Sequence, residues 1–335
     1  MKKAIIIAAI GFCIVGFTST TKSITDTEEI KKAVNKSLPL LQRSSYTFLI
    51  NAGGCHSCHG QGLGGIAFSL AKEKGFAIQD TILQQALDSI NNNWTQRRHY
   101  MVQNGDPAAI VISGGYDLWA FATNKLTANK TRELLAKNIL QRQRKDGSWV
   151  APNARPPIEY YSFSATAMAV KGMQVYLPAV LQTNLHQSIA KATTWMMNTT
   201  PLANEDKIFQ LLGLKWVNGD KNFIQQQANK LIAAQHADGG WSQLDSLQSD
   251  AYATGQSLYA LQQSGAITTG APAYQKGIAY LLRTQQADGS WNVQTRSYPS
   301  VPFVESGFPH GDNQFISAAG TNWAVMALVL AVEKF

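Results

Sequence analysis

Three stretches, Gln143-Arg-Lys-Asp-Gly-Ser-Trp149, Gln235-His-Ala-Asp-Gly-Gly-Trp241 and Gln285-Gln-Ala-Asp-Gly-Ser-Trp291, share the pattern Q-x-x-D-G-[SG]-W. Their starts lie 92 and 50 residues apart, so the first interval fits two units of about 46, the period of a helical repeat. A degenerate copy is expected near Trp195 to Pro201 (WMMNTTP). Asp-Gly is turn chemistry that stops a helix, and the Trp supplies a large apolar anchor whose indole N–H still needs a partner. The preceding Gln is suited to cap a neighbouring helix end. Each motif is therefore read as a structural fastening that closes one helix and ties its turn to the next.

Between these turns two kinds of helix alternate. Amphipathic stretches rich in Gln, Lys and Arg fall at about 27–51, 79–102, 127–144, 184–198, 220–235 and 272–285; stretches apolar or small on most sides fall at about 62–75, 107–124, 161–177, 204–217, 250–265 and 314–333. A helix with one polar stripe faces water, and one apolar nearly all round is buried. The pattern predicts an all-α fold, an α/α barrel (toroid) of six outer and six inner helices, occupying residues 23–335 as one domain.

The Q-x-x-D-G-x-W repeats on such a barrel resemble the toroid domain of the squalene cyclase and protein prenyltransferase superfamily, over nearly the whole of residues 23–335. A nearer resemblance is to exported bacterial squalene-cyclase-like and prenyltransferase-like repeat proteins, at Gly54 to His59, Ser249-Asp-Ala-Tyr-Ala-Thr-Gly-Gln256 and Glu305-Ser-Gly-Phe-Pro-His310. The sequence departs from the enzymes of the superfamily. It lacks the D-x-D-D acid motif of hopanoid-type cyclases, and the prenyltransferase zinc set of Asp, Cys and His has no Cys available outside residues 55–58.

Those cysteines lie in Cys55-His56-Ser57-Cys58-His59. Two thiols three apart, with a histidine after the second, form the attachment pattern for covalent haem c, in which His59 ligates the iron from the proximal side. The same motif also fits a local disulfide, an incomplete metal site, or a redox-active or vestigial thiol pair. Cys13, the remaining cysteine, falls in a segment in which Lys2 and Lys3 precede an apolar run from Ala4 to Phe17 and then small polar residues. This reads as a secretory signal peptide, residues 1–22, cleaved near 19–23; the run is too short to span a bilayer comfortably. The chain is expected to be exported, to the periplasm, with no stable membrane span.

Composition sets outer bounds. The 335 residues are 45% hydrophobic and 15% charged, ample for a sizeable core, and the formal charge of +8 falls to +5 once Lys2, Lys3 and Lys22 leave. With no dense Lys/Arg stripe interleaved with aromatics, nucleic acid is not an expected partner. Phosphate-cradling loops, H-E-x-x-H and nucleophile elbows are absent from the sequence.

Alternation of outer and inner helices puts every outer-to-inner connection on one face of the barrel. That set comprises the Cys/His motif, 145–161, 199–204, 236–249 and 286–313, mostly long and rich in Gly, Pro, aromatic and acidic residues. Long loops gathered at one end of a rigid scaffold are where chemistry sits. Closure brings the last loop beside Cys55, Cys58 and His59, making His310 the first candidate for a distal haem ligand, with Met101 and His99 next; the alternative for His310 is a hydrogen bond within its own loop. Glu159, Glu205, Asp206, Asp250, Glu305 and Asp312 form an acidic set around the same mouth, individually explicable as helix N-terminal caps. With Tyr116, Tyr160, Tyr161, Tyr252 and Trp323 they are placed to line a cavity with an apolar wall and an acidic rim. Three functions follow. The first is an exported single-haem c-type cytochrome with an adjoining ligand cavity, an electron-transfer role and a redox partner protein. The second is an enzyme acting on an isoprenoid, other lipid or sugar through the mouth carboxylates, and the third a non-catalytic binding module.

Overall fold

The computed structural model describes residues 26–106, 109–151, 155–298 and 303–335. The signal peptide expected at 1–22 lies outside them. Thirteen α-helices follow one another among the described residues: α1 (Thr27–Asn51), α2 (Leu63–Lys74), α3 (Asp80–Gln96), α4 (Arg98–Val102), α5 (Ile110–Thr123), α6 (Lys130–Gln141), α7 (Ser162–Tyr176), α8 (Gln182–Asn198), α9 (Asn204–Trp216), α10 (Lys221–Ala233), α11 (Ala251–Gln263), α12 (Pro272–Thr284) and α13 (Gln314–Leu330). A single π-turn, Cys58–Gly62, leads into α2.

The inner helices touch in the order α2, α5, α7, α9, α11, α13, and α13 returns to α2, so the ring closes. Outer helices α1, α3, α6, α8, α10 and α12 pack around it, and α12 comes back to α1. The fold is the α/α toroid expected from the repeats. Sequence dictates the two layers: α5 (IVISGGYDLWAFAT) and α13 (QFISAAGTNWAVMALVL) are buried along most of their length, whereas α10 buries only Ile224, Ala228 and Leu231, one stripe at helical spacing. Close packing of the inner ring depends on small residues; a Cβ on Gly255 of α11 would run into the α13 backbone at Trp323 and Ala324. The outer helix expected over 79–102 is instead divided at Arg97 (φ −88°, ψ 5°), which lets α4 seat Met101 in the core and leave Tyr100 in solvent. No helix among the described residues is long and apolar enough to cross a membrane.

All three repeat motifs use one set of bonds. Each Trp is buried and donates its indole N–H to a carbonyl ten residues earlier: Trp149 to Ile139 at 2.6 Å, Trp241 to Leu231 at 2.8 Å and Trp291 to Leu281 at 2.9 Å. Its backbone N–H goes to a threonine hydroxyl on the following inner helix, Thr166, Thr254 or Thr321. Each Gln amide bridges its own turn to the next outer helix. Gln143 donates to Gly147 O and Ser188 O of α8, Gln235 to Gly239 O and Ala273 O of α12, and Gln285 to Gly289 O and Ala33 O of α1. The Asp side chain accepts from the N–H two residues on. The glycines sit at φ +97°, +90° and +94°, and an added Cβ would strike the carbonyl of Lys191, Lys276 or Lys36 on the neighbouring outer helix. WMMNTTP forms the last turn of α8 and the start of its connection to α9, with other chemistry: Trp195 is only half-buried against Phe163, and Gln210 Nε2 donates to Met196 O.

Replacing Trp149, Trp241 or Trp291 by Ala should therefore each cost about 3 to 5 kcal/mol, the range for deleting a buried large aromatic, whereas Trp195→Ala should cost clearly less. Urea denaturation of the four variants checks this; equal, small losses would show that the motif tryptophans are not the fastenings.

Candidate active site at the mouth of the toroid

Inner helices begin at the face where the long connections lie, and the first turns of α7, α9, α11 and α13 bring their polar residues to the barrel mouth. Glu205 stands in the first turn of α9 and is buried. Tyr252 of α11 donates its hydroxyl to Glu205 Oε2 at 3.1 Å. Burial raises the Glu205 carboxyl from 4.5 to about 8, against the lowering influence of Gln256 and Tyr252 beside it. Gln256 contacts Glu205, and Tyr116 and Trp323 stand beside Tyr252, all of them buried. The residues around Glu205 come from α5, α11 and α13 as well as α9, so they converge on the barrel axis. Below them the axis is aromatic: Trp119 lies 5.2 Å from Trp216, 6.2 Å from Tyr259 and 6.0 Å from Trp323, and Phe209 lies 6.4 Å from Trp323, all between ring centroids. A carboxyl raised by burial thus stands at the mouth end of an inner ring whose aromatic side chains pack against one another.

A second buried cluster adjoins the first through Tyr116, whose hydroxyl is held far above its usual range by burial, with Glu205, Cys58 and Glu159 adding to the effect. Asp117, one residue on in α5, accepts from Trp94 Nε1 at 2.7 Å and pairs with His56 Nε2 at 2.8 Å, leaving Asp117 Oδ1 and His56 Nδ1 without partners. Glu159 is ion-paired with Arg155 and accepts the Cys58 thiol at 3.1 Å. The thiol is pushed well up, first by burial and then by Glu159.

These surroundings do not fit a haem. Cys55 is exposed while Cys58 is buried. The depression beside Cys55, about 390 Å³, is walled by Gln85, Asp88, Asn92, Asn93 and Gln96, polar side chains where a porphyrin needs an apolar slot. His59 is enclosed edge-on by Phe48 at 5.9 Å and Phe315 at 5.8 Å, and burial lowers it to about 4. The three proposed distal ligands are engaged elsewhere. His310 bonds Ser290 Oγ at 2.8 Å within its own loop, His99 is exposed against Tyr100, and Met101 is buried under α6, its carbonyl accepting from Asn138.

The acidic set divides. Glu205 and Glu159 reach the buried mouth. Asp250 caps α11 through Ala253 N at 2.8 Å, accepts from Gln243 and is raised by burial to about 6. Asp206 accepts from Leu202 N and Ala203 N, a helix-start role. Glu305 and Asp312 are exposed; Glu305 accepts from Gly307 N and Gln314. Tyr161 accepts from Arg296, which also donates to Gln243 at 2.7 Å, and Tyr160 points into solvent. Residues not anticipated are Asp117, His56, Trp94, Arg155, Gln256 and Arg296. Asp117 had a legible signal, as the one carboxylate inside an otherwise apolar inner helix; its partners are remote in sequence and had none. Among the described residues no group of three or more His, Cys, Asp or Glu is arranged to hold a metal ion.

No protein-family model matches the chain. Among solved structures, it is similar to the type II terpene cyclase MstE from Scytonema, at 14% identity and a TM-score of 0.58 over 91% of this chain and 98% of that one. A protein from Actinoplanes matches at 13% identity and 0.56, over 90% of this chain and 99% of that one. A possible member of the GH105 family from Salmonella enterica matches at 12% identity and 0.52, over 91% and 94%. At these identities the likeness establishes the toroid. It also corrects the reading as a c-type cytochrome with an electron-transfer role: the named toroids are a terpene cyclase and a possible GH105 member, and the Cys55–His59 segment does not offer the group a slot.

A carboxyl at about 8 in the folded chain and 4.5 when unfolded binds more protons folded than unfolded between those values, so it removes stability as pH rises through that window. Glu205→Gln should accordingly be more stable than wild type by several kcal/mol, at about 1.4 kcal/mol per unit, at pH 8 and above, with the difference vanishing near pH 4.5. Chemical denaturation across pH measures it; a difference that grows towards acid pH would contradict a protonated Glu205.

Proposed function

We propose that this chain is an exported enzyme, residues 1–22 being its signal peptide, that protonates an isoprenoid or related apolar ligand in the toroid mouth with Glu205 as the general acid. One observation carries the reading: a buried carboxyl, raised to about 8, stands among inner helices whose rings Trp119, Tyr259, Trp323 and Phe209 pack together along the barrel axis. A general acid works best when its pKa lies near the working pH. Proton transfer from Glu205 Oε1 to an alkene carbon forms one C–H bond and leaves a carbocation on the neighbouring carbon. Aromatic faces stabilise such a cation through their quadrupoles, and a dry well protects it from water. A neighbouring double bond then closes a ring, and loss of a proton to a base ends the sequence.

The structural neighbour MstE supports the choice of ligand class, since it has been seen with geranylgeranyl dihydroxybenzoate, its substrate, and with merosterolic acid A, its product. In place of a D-x-D-D motif the mouth offers Glu205, protonated through its burial, as the proton donor. Tyr252 and Gln256 hold the acid in place.

Incubation with linear polyprenyl alcohols and with geranylgeranyl dihydroxybenzoate in D₂O should give cyclised product carrying one carbon-bound deuterium. Glu205→Gln should lower the rate by a factor of about 10² to 10⁴, the range for a lost general acid. Mass spectrometry reads both. Turnover of an oligosaccharide with none of any prenyl compound would overturn the reading.

A further inference from the structure

The Cys55 and Cys58 pair, at the entry to α2, carries chemistry that the Glu205 site does not use. With Cys13 in the segment read as a signal peptide, these are the only thiols of residues 23–335. Both are free, and their settings are opposite: Cys55 is exposed and Cys58 is buried. The Cys58 thiol donates to Glu159 Oε1 at 3.1 Å. The Arg155 guanidinium holds Glu159 Oε2, so an anchored carboxylate is kept against the inner thiol. Cys55 opens instead on the depression of about 390 Å³ lined by Gln85, Asp88, Asn92 and Gln96, whose amides suit the polar groups of a small peptide.

An exposed thiol two residues ahead of a buried one, with a carboxylate beside the buried one, suits dithiol–disulfide exchange: the outer sulfur attacks and the inner one resolves. A disulfide needs its two Cα atoms within about 7 Å. Ser57 is extended (φ −124°, ψ 148°), so closing the bond requires movement. Cys58 is held in the π-turn and His56 on Asp117, which leaves Cys55 to move. Two glycines precede it, Gly53 at φ +61° and Gly54 at φ +84°, and neither position has an atom within 4 Å of where a Cβ would lie.

We propose that Cys55 and Cys58 are a dithiol–disulfide exchange site whose partner is a small disulfide-bearing peptide seated in the polar depression. Cys55, as its thiolate, attacks one sulfur of the partner; a mixed disulfide forms and half of the partner leaves as a thiolate. Cys58 passes its proton to Glu159 as its sulfur attacks Cys55 Sγ, the Cys55–Cys58 bond forms, and the mixed disulfide breaks to release the second half. The leaving thiolates take up the protons given up by Cys55 and Cys58, so the protein loses two electrons and two protons and the partner disulfide gains them.

Oxidised glutathione is the probe: reduced protein is incubated with it, quenched with N-ethylmaleimide and weighed intact by mass spectrometry. Wild type should reach an internal disulfide, lighter than the dithiol by two hydrogens and closed to maleimide. Cys58→Ser should stop with one glutathione on Cys55, and Cys55→Ser should take up none, because Cys58 is buried. Glu159→Gln should slow resolution of the mixed disulfide about a hundredfold, the low end for a lost general base. Glu205→Gln should exchange as wild type, so the acid reading and this one fail separately. A wild type that remains a dithiol, that keeps its glutathione as long as Cys58→Ser does, or that links two chains on a non-reducing gel would overturn the proposal.

Discussion

A ring of helices holds its shape only if its last turn is fastened to its first helix. Here that fastening is Gln285, whose amide reaches Gly289 O in its own turn and Ala33 O and the Ser37 hydroxyl of α1, across some 250 residues of sequence. Ser37 returns a bond to Gly289 O at 2.6 Å. The same construction at Gln143 and Gln235 shows that closure is an ordinary repeat contact made once with the chain's beginning. The rest follows from it: a closed inner ring has an axis, and an axis surrounded by six apolar helices is a dry place.

Dryness makes the mouth chemically distinctive. A carboxyl at the start of a helix normally accepts the free N–H groups there, as Asp250 at the N-cap of α11 does from Ala253 N. Glu205 is in a first turn too, but no backbone donor reaches it; it meets a tyrosine hydroxyl, an amide and aromatic rings. Asp206, its neighbour, takes the helix-start bonds from Leu202 and Ala203. Two adjacent acids thus divide the work, one capping the helix and one facing the axis. Beside them Glu159 is ion-paired with Arg155, so the mouth holds one carboxyl raised by burial and another paired with a cation.

The fold was legible because its rules are local. Q-x-x-D-G-[SG]-W encodes a helix stop, a left-handed glycine and a buried indole within seven residues, and helical periodicity separates the layers. The site was legible in part. Glu205 and Tyr252 could be placed at the mouth by counting helices, but that Glu205 rather than Glu305 is buried depends on loop packing that no spacing encodes. Cys55 to His59 shows that a motif records residue spacing and not surroundings: Glu159 and Phe315, far away in the chain, are what Cys58 and His59 meet. Asp117 with His56 and Trp94 shows the same limit, a buried trio drawn from three elements.

The central claim is that Glu205 is a neutral acid inside the folded protein at physiological pH. Infrared difference spectroscopy between wild type and Glu205→Gln reads that state directly. A carbonyl stretch of a protonated carboxylic acid, present in wild type at neutral pH, missing from the variant and fading as the solution is titrated past about pH 8, is the result expected here. A wild-type spectrum at neutral pH with only carboxylate bands from this position would contradict it.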